Sequence, residues 1–207
     1  MIRSNILIKL ISKKIKYCKT TKITSNMSHL SPSNMNPKRV QHFIKIQQDN
    51  GQQKVAEEEL KNGQKCTHWI WYILPNILGL GSSGMCQEYG IKNLEHSINY
   101  LENDILINNY MSICTIIHHQ LCIKNADVHV LMGSHIDMLK LISSYTLFLF
   151  TSKKMLDIIK NSDIDVRKSE NIKLKKERLE ELVRLMEPVL VRLNGKCQIT
   201  TEMLEDI

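Results

Sequence analysis

The chain has 207 residues, 43% hydrophobic and 24% charged. These are the proportions of an ordinary globular protein, and they exclude wholesale disorder, a collagen-like repeat and a disulfide-dense mini-protein. The formal charge is +7, but residues 1–40 hold nine Lys or Arg and no acid, while the other nineteen basic residues face all 21 acidic ones, so the rest of the chain carries −2. A near-neutral body points away from nucleic acid, leaving such association to the basic tail alone. No apolar run approaches the ~18 residues that cross a bilayer.

Residues 1–35 read as a basic tail. Lysines spaced among Ile and Leu admit an organelle transit peptide or a membrane-surface segment presenting Ile6 and Leu10. The expectation is plainer: a disordered extension, or residues upstream of a true start at Met27 or Met35. Ser28 to Pro37 has the Ser, Asn and Pro content of a linker. Asn36-Pro37 then opens a helix, Asn as N-cap and Pro in the first turn, with Val40, Phe43, Ile44 and Gln47 at helical spacing. A second helix runs from Val55 and stops with Gly63 at its C′ position. Thr67 to Leu74 is apolar, aromatic and too short to classify, and Pro75 to Gly81 is a loop. Ser82 or Ser83 caps a short helix ending near Gly90, and Asn93 caps another carrying Leu94, Ile98 and Leu101. Asp104 starts a long helix reaching Cys122, and Asp127 to Met132 is a short one ended by Gly133. Ser134 opens a helix to about Phe150, and Lys153 to Lys160 forms a separate one. Glu170 to Leu193 is long and highly charged, with Pro188 as an interruption. Thr200 or Thr201 caps a final turn over Glu202 to Ile207. Strands are scarce and no β-α alternation recurs. The fold class expected is therefore all-α: a single compact domain of about nine helices over 36–207, behind the basic extension.

Several groups invite chemistry. Gly79-Leu-Gly81-Ser82-Ser83-Gly84 spells G-x-G-x-x-G, with Asp104 about twenty residues on. A dinucleotide site needs a strand before that loop, and Pro75 and Asn76 argue against one. The loop retains the capacity to offer backbone N–H groups to an anion. His68, Trp69 and Trp71 lie just upstream, where indoles can stack on a planar ligand and an imidazole can move protons near neutrality. The plainer reading is core packing. Lys140, Ser143 and Ser144 share one helix face at i, i+3 and i+4, with Asp137 one turn before Lys140. A lysine beside hydroxyls suits phosphate, whereas an Asp137–Lys140 surface pair is the plainer alternative. Cys114, His118 and Cys122 recur every four residues, as zinc ligands on a helix would. They are embedded among Ile113, Ile116, Ile117 and Leu121, so buried small hydrophobes are expected and no metal is. None of the six cysteines forms C-x-x-C, and reduced thiols in an intracellular, cytoplasmic protein are expected, with targeting by the tail as the alternative. Ile172, Leu179, Leu182, Met186, Val189 and Leu193 form a heptad-like seam in which Lys175 occupies one d position, which favours docking on the chain's own domain over a coiled coil.

The stretch from Arg39 to Phe148 also carries an ordered pattern. It comprises Arg39-Val-Gln-His-Phe-Ile-Lys-Ile-Gln, Glu59-Leu-Lys-Asn-Gly63-Gln-Lys65, His68-Trp-Ile-Trp71-Tyr-Ile-Leu-Pro75, Gly79-Leu-Gly81-Ser-Ser and Tyr89-Gly-Ile91. It continues with Tyr100-Leu101 and Met132-Gly-Ser134 leading into Asp137 to Phe148. This resembles the domain-of-unknown-function family 1810, small and mostly helical proteins. The resemblance implies a fold and no established activity. The chain departs from the family pattern at Asn76, where Gln is usual, at Glu102-Asn103, where His-Pro is usual, and in extra charged residues around 161–180. The family-like core spans about 39–150 and the charged helical extension about 160–193.

The functional expectation is a pocket for a small anionic or nucleotide-like ligand, with His68 as acid–base candidate. Its walls are Trp69, Trp71, Gly79, Gly81, Ser82, Ser83, Lys140, Ser143 and Ser144. No cofactor is implied, and the oligomeric state is open. The alternative is a non-enzymatic interaction module working through the charged C-terminal helix.

Overall fold

The computed structural model describes residues 37–162 and 169–205. The tail, the Asn36 cap, part of the charged insertion and the last two residues lie outside them. Among the described residues there are ten α-helices: α1 (Pro37–Ile44), α2 (Gln52–Lys61), α3 (Ile70–Ile73), α4 (Gly84–Tyr89), α5 (Leu94–Glu102), α6 (Asp104–His118), α7 (Val128–Met132), α8 (His135–Lys160), α9 (Glu170–Arg192) and α10 (Gln198–Glu205). The β-structure among them is one isolated parallel bridge, Ile77 to Ile91. No helix there is long and apolar enough to cross a membrane.

Short polar side chains start the helices, because the first N–H groups of a helix lack partners within it. Ser83 caps α4 by accepting from the Cys86 N–H at 3.2 Å. Asn93 caps α5, Asn103 caps α6, Asp127 caps α7 and Ser134 caps α8. Helix α8 is the axis, packed against α5, α6, α7, α9 and α10. It is one helix of 26 residues, not the two expected from sequence. No Gly or Pro stands at the expected break, and Thr151 donates its hydroxyl to the Leu147 carbonyl at 2.9 Å, a bond made within the helix itself. Pro188 likewise lies inside α9 without ending it. Thr200 is buried within α10, which begins two residues earlier at Gln198. The expected Thr200 or Thr201 cap is thereby corrected, since the Thr200 hydroxyl is engaged 2.9 Å from Ser143 in the core.

Two helices end in π-turns, Lys45–Asp49 after α1 and His119–Ile123 after α6. Each carries a buried glutamine that joins distant elements. Gln47 donates to the Tyr72 carbonyl at 2.6 Å and the Tyr100 hydroxyl at 3.1 Å, and accepts from Asn109 at 2.9 Å. Gln120 donates to the Leu60 and Lys61 carbonyls at 2.7 and 2.9 Å, satisfying acceptors that the end of α2 leaves free. The extra residue of a π-turn rotates the following side chains about the helix axis, which lets a polar residue enter the core at an otherwise apolar position. Leu179, Leu182, Met186 and Val189 are buried as α9 docks on α6 and α8.

His96 on α5 gives the fold a pH dependence. Burial, then the positive charges of Arg39 and Lys92, lower its pKa from 6.5 to about 4. The unfolded chain therefore binds a proton near pH 6.5 that the folded chain refuses until about pH 4. Stability is fully present above 6.5 and is lost as pH falls through that window, at up to about 1.4 kcal/mol per pH unit. Urea titrations between pH 7 and 4 should show this slope, and His96→Gln should flatten it. An unchanged slope in that variant would assign it to other groups.

Candidate functional site

The turn after α2 is organised by one carboxylate. Glu59 accepts from the Cys66 N–H at 2.7 Å, the Thr67 N–H at 3.1 Å, the Thr67 hydroxyl at 2.7 Å and the Trp69 indole N–H at 2.7 Å. Burial pushes this carboxyl upward, but the hydrogen bonds from Thr67, Cys66 and Trp69 outweigh it and hold the group below its usual range. Trp69 is thereby fixed and fully buried.

Lys65 crosses this turn. Its N–H donates to the Leu131 carbonyl at 2.8 Å, and its ammonium lies 5.1 Å from the Trp69 ring centre, 2.6 Å from the Thr67 carbonyl and 2.7 Å from Asp137 Oδ2. Asp137 sits in the first turn of α8, where a negative charge is favoured, and its other oxygen is 3.2 Å from Lys140 Nζ. The Lys140 ammonium in turn lies 4.4 Å from the Trp71 ring centre, and its carbonyl accepts from Asn76 at 3.0 Å. Two cations thus share one carboxylate, each over its own indole. Lys65 is 6% exposed and Lys140 19%, so their attraction to the rings is less screened than on an open surface.

Lys140 and Trp71 stand at a cleft whose apolar walls include Ile70, Ile77, Leu80 and Tyr89, with Asn76 and Gly81 at the lining and a volume of about 60 Å³. The Trp71 indole N–H is buried and has no partner among the described residues. A Cβ on Gly81 would come within 2.8 Å of Cys86 Sγ, so glycine lets the loop close over the cleft.

The sequence-derived site residues are therefore divided. Trp71, Gly81 and Lys140 line one cleft. Gly79 adopts φ +102° and packs toward Met203, Ser82 is exposed, and Ser83 is occupied as the α4 cap. Trp69 does not line the cleft and is linked to it through Lys65, Asp137 and Lys140. Ser143 and Ser144 are fully buried, the first 2.9 Å from the Thr200 hydroxyl and the second 3.1 Å from the Tyr110 hydroxyl. They follow Lys140 by one turn, at a level where α6 and α10 already cover the helix. His68 is exposed and does not line the cleft. Sequence reasoning passed over Glu59 and Lys65, whose roles depend on a carboxylate and an indole brought together by the turn. The spacing of Glu59, Lys65 and Trp69 within eleven residues was the available signal.

The segment before the glycine loop is helix α3 and irregular chain rather than a strand, so the G-x-G-x-x-G spelling lacks the context of a dinucleotide fold. Cys114 is fully buried and its thiol is pushed up to about 12 by that burial. Among the described residues no three His, Cys, Asp or Glu side chains converge as a metal site would require.

No curated protein matches the chain. A solved structure does: the crystal structure of the conserved hypothetical protein Rv1873 from Mycobacterium tuberculosis, 24% identical, with 82% of this chain and 99% of that one aligned at a TM-score of 0.59. That likeness establishes the fold. The sequence profile of the proteins of unknown function DUF1810 matches residues 37–162, the segment that supplies every residue of the lysine–aspartate network, and the chain belongs to that family.

Proposed function

We propose that the cleft between α3, the glycine loop and α8 binds a small molecule with a short apolar body and an anionic end. The observation that carries this reading is the shared carboxylate. Asp137 is shared between Lys65 and Lys140, so it neutralises Lys140 only in part, and the Lys140 ammonium lines an apolar cleft over Trp71. An anion there gains a charge-assisted hydrogen bond from Lys140. The size of the cleft selects the body. A volume of about 60 Å³ takes roughly two water-sized groups, which suits a chain of two or three carbons and leaves a nucleoside outside. His68 has no part in this binding, because it does not line the cleft. The alternative, an interaction module on the charged C-terminal helix, has its apolar seam already committed to α6 and α8.

Thermal denaturation of the full chain with butyrate and propyl phosphate tests the proposal. At a ligand concentration ten times Kd, the gain is about 1.4 kcal/mol, which raises the midpoint of a chain this size by roughly 3–6 °C. Lys140→Met should abolish the shift, since Lys140 supplies the cation that faces the cleft. Equal shifts in the two proteins, or none with either compound in the wild type, would overturn it.

A further inference from the structure

A second cavity, of about 180 Å³, lies between the later turns of α8 and α10. Three lysines border it: Lys153 and Lys154 of α8, and Lys196 of the loop entering α10. Lys153 pairs with Glu187 at 2.5 Å. Lys154 and Lys196 have no carboxylate within ion-pair distance among the described residues, and the Lys154 ammonium lies 5.5 Å from the centre of the Phe150 ring. Asp157 is the acidic residue in the lining, with Phe150 and Leu204 supplying apolar surface. Lys154 and Lys196, on separate elements of one cavity lining in which Asp157 is the single acid, leave positive charge there for a multiply charged anion. A carboxylate in the same lining has no use for that anion but accepts hydrogen bonds from hydroxyls.

We infer that this cavity binds a phosphorylated sugar or polyol, its phosphate between Lys154 and Lys196, its hydroxyls toward Asp157 and its carbon skeleton against Phe150 and Leu204. The volume suits a monosaccharide phosphate and falls short of the ~300 Å³ at which pockets for larger ligands begin. The site is separate from the cleft at Lys140. Fourteen residues of helix, or roughly 21 Å, divide Lys140 from Lys154.

Glucose 6-phosphate titrated into the ¹⁵N-labelled full chain tests this. Saturable shifts of the Lys196 and Leu204 amides are expected, with binding at least about tenfold weaker for inorganic phosphate and for glucose alone, because each supplies only part of the recognition. Lys154→Met with Lys196→Met should weaken glucose 6-phosphate by about tenfold or more, while Lys140→Met leaves it unchanged. That last protein keeps this inference independent of the cleft proposed above. Shifts confined to the basic residues 1–40, equal affinity in the double variant, or equal affinity for glucose would each overturn the inference.

Discussion

The Lys175→Met variant is expected to lose about 3–5 kcal/mol of stability, the cost of leaving one member of a buried ion pair alone. Lys175 of α9 donates to Glu102 Oε2 at the end of α5, and the two side chains are 15% and 7% exposed. The other Glu102 oxygen is buried without a partner among the described residues, so the lysine is the principal compensation for that charge. Removing it strands a carboxylate beneath α9. A midpoint drop of roughly 10 °C follows for a chain of this length. Combining Lys175→Met with Glu102→Leu should recover most of the loss, because an apolar pair of similar volume is often as stable as a buried ion pair. Denaturant unfolding of the wild type and these two variants decides the matter. A single variant within about 1 kcal/mol of wild type would mean that water already solvates Glu102.

Gly133→Ala is expected to cost about 2–4 kcal/mol. Gly133 ends α7 at φ +72°, a conformation that disfavours any Cβ. The added carbon would also lie 2.7 Å from the Lys65 carbonyl oxygen, and backbone there cannot swing aside as a side-chain tip can. Gly51→Ala supplies the comparison: it has φ +66° but nothing within 4 Å of its added Cβ, so only the conformational cost of roughly 1 kcal/mol applies. The difference between the two variants in urea unfolding measures the contact with Lys65. Because Lys65 pairs with Asp137, pushing its backbone aside in Gly133→Ala should also weaken the butyrate response. Equal losses at the two glycines would show that Lys65 yields freely.

Lys175 shows how far a linear reading reaches. Along the chain it is a fault in a heptad seam, a charge where an apolar residue belongs. In the folded chain it is the position that meets Glu102, 73 residues earlier. Ser143 and Ser144 show the converse. Helical spacing places them on a face with Lys140, but what covers that face is decided by α6 and α10. Glu59 is unremarkable as a residue in an acidic run and becomes the acceptor that fixes Trp69.

Helical character, the caps at Asn93 and Ser134, a serine start for α4 at Ser82 or Ser83, the inward face of α9 and the family pattern were legible residue by residue. Each rests on interactions within a few positions of the chain or on a periodicity that solvent imposes. The continuity of α8 through Thr151, the π-turns that bury Gln47 and Gln120, and the meeting of Lys65, Asp137 and Lys140 over two indoles were settled only in three dimensions. A buried polar or charged group is stable only where its partners arrive from elsewhere in the chain, and nothing local specifies which partners those are.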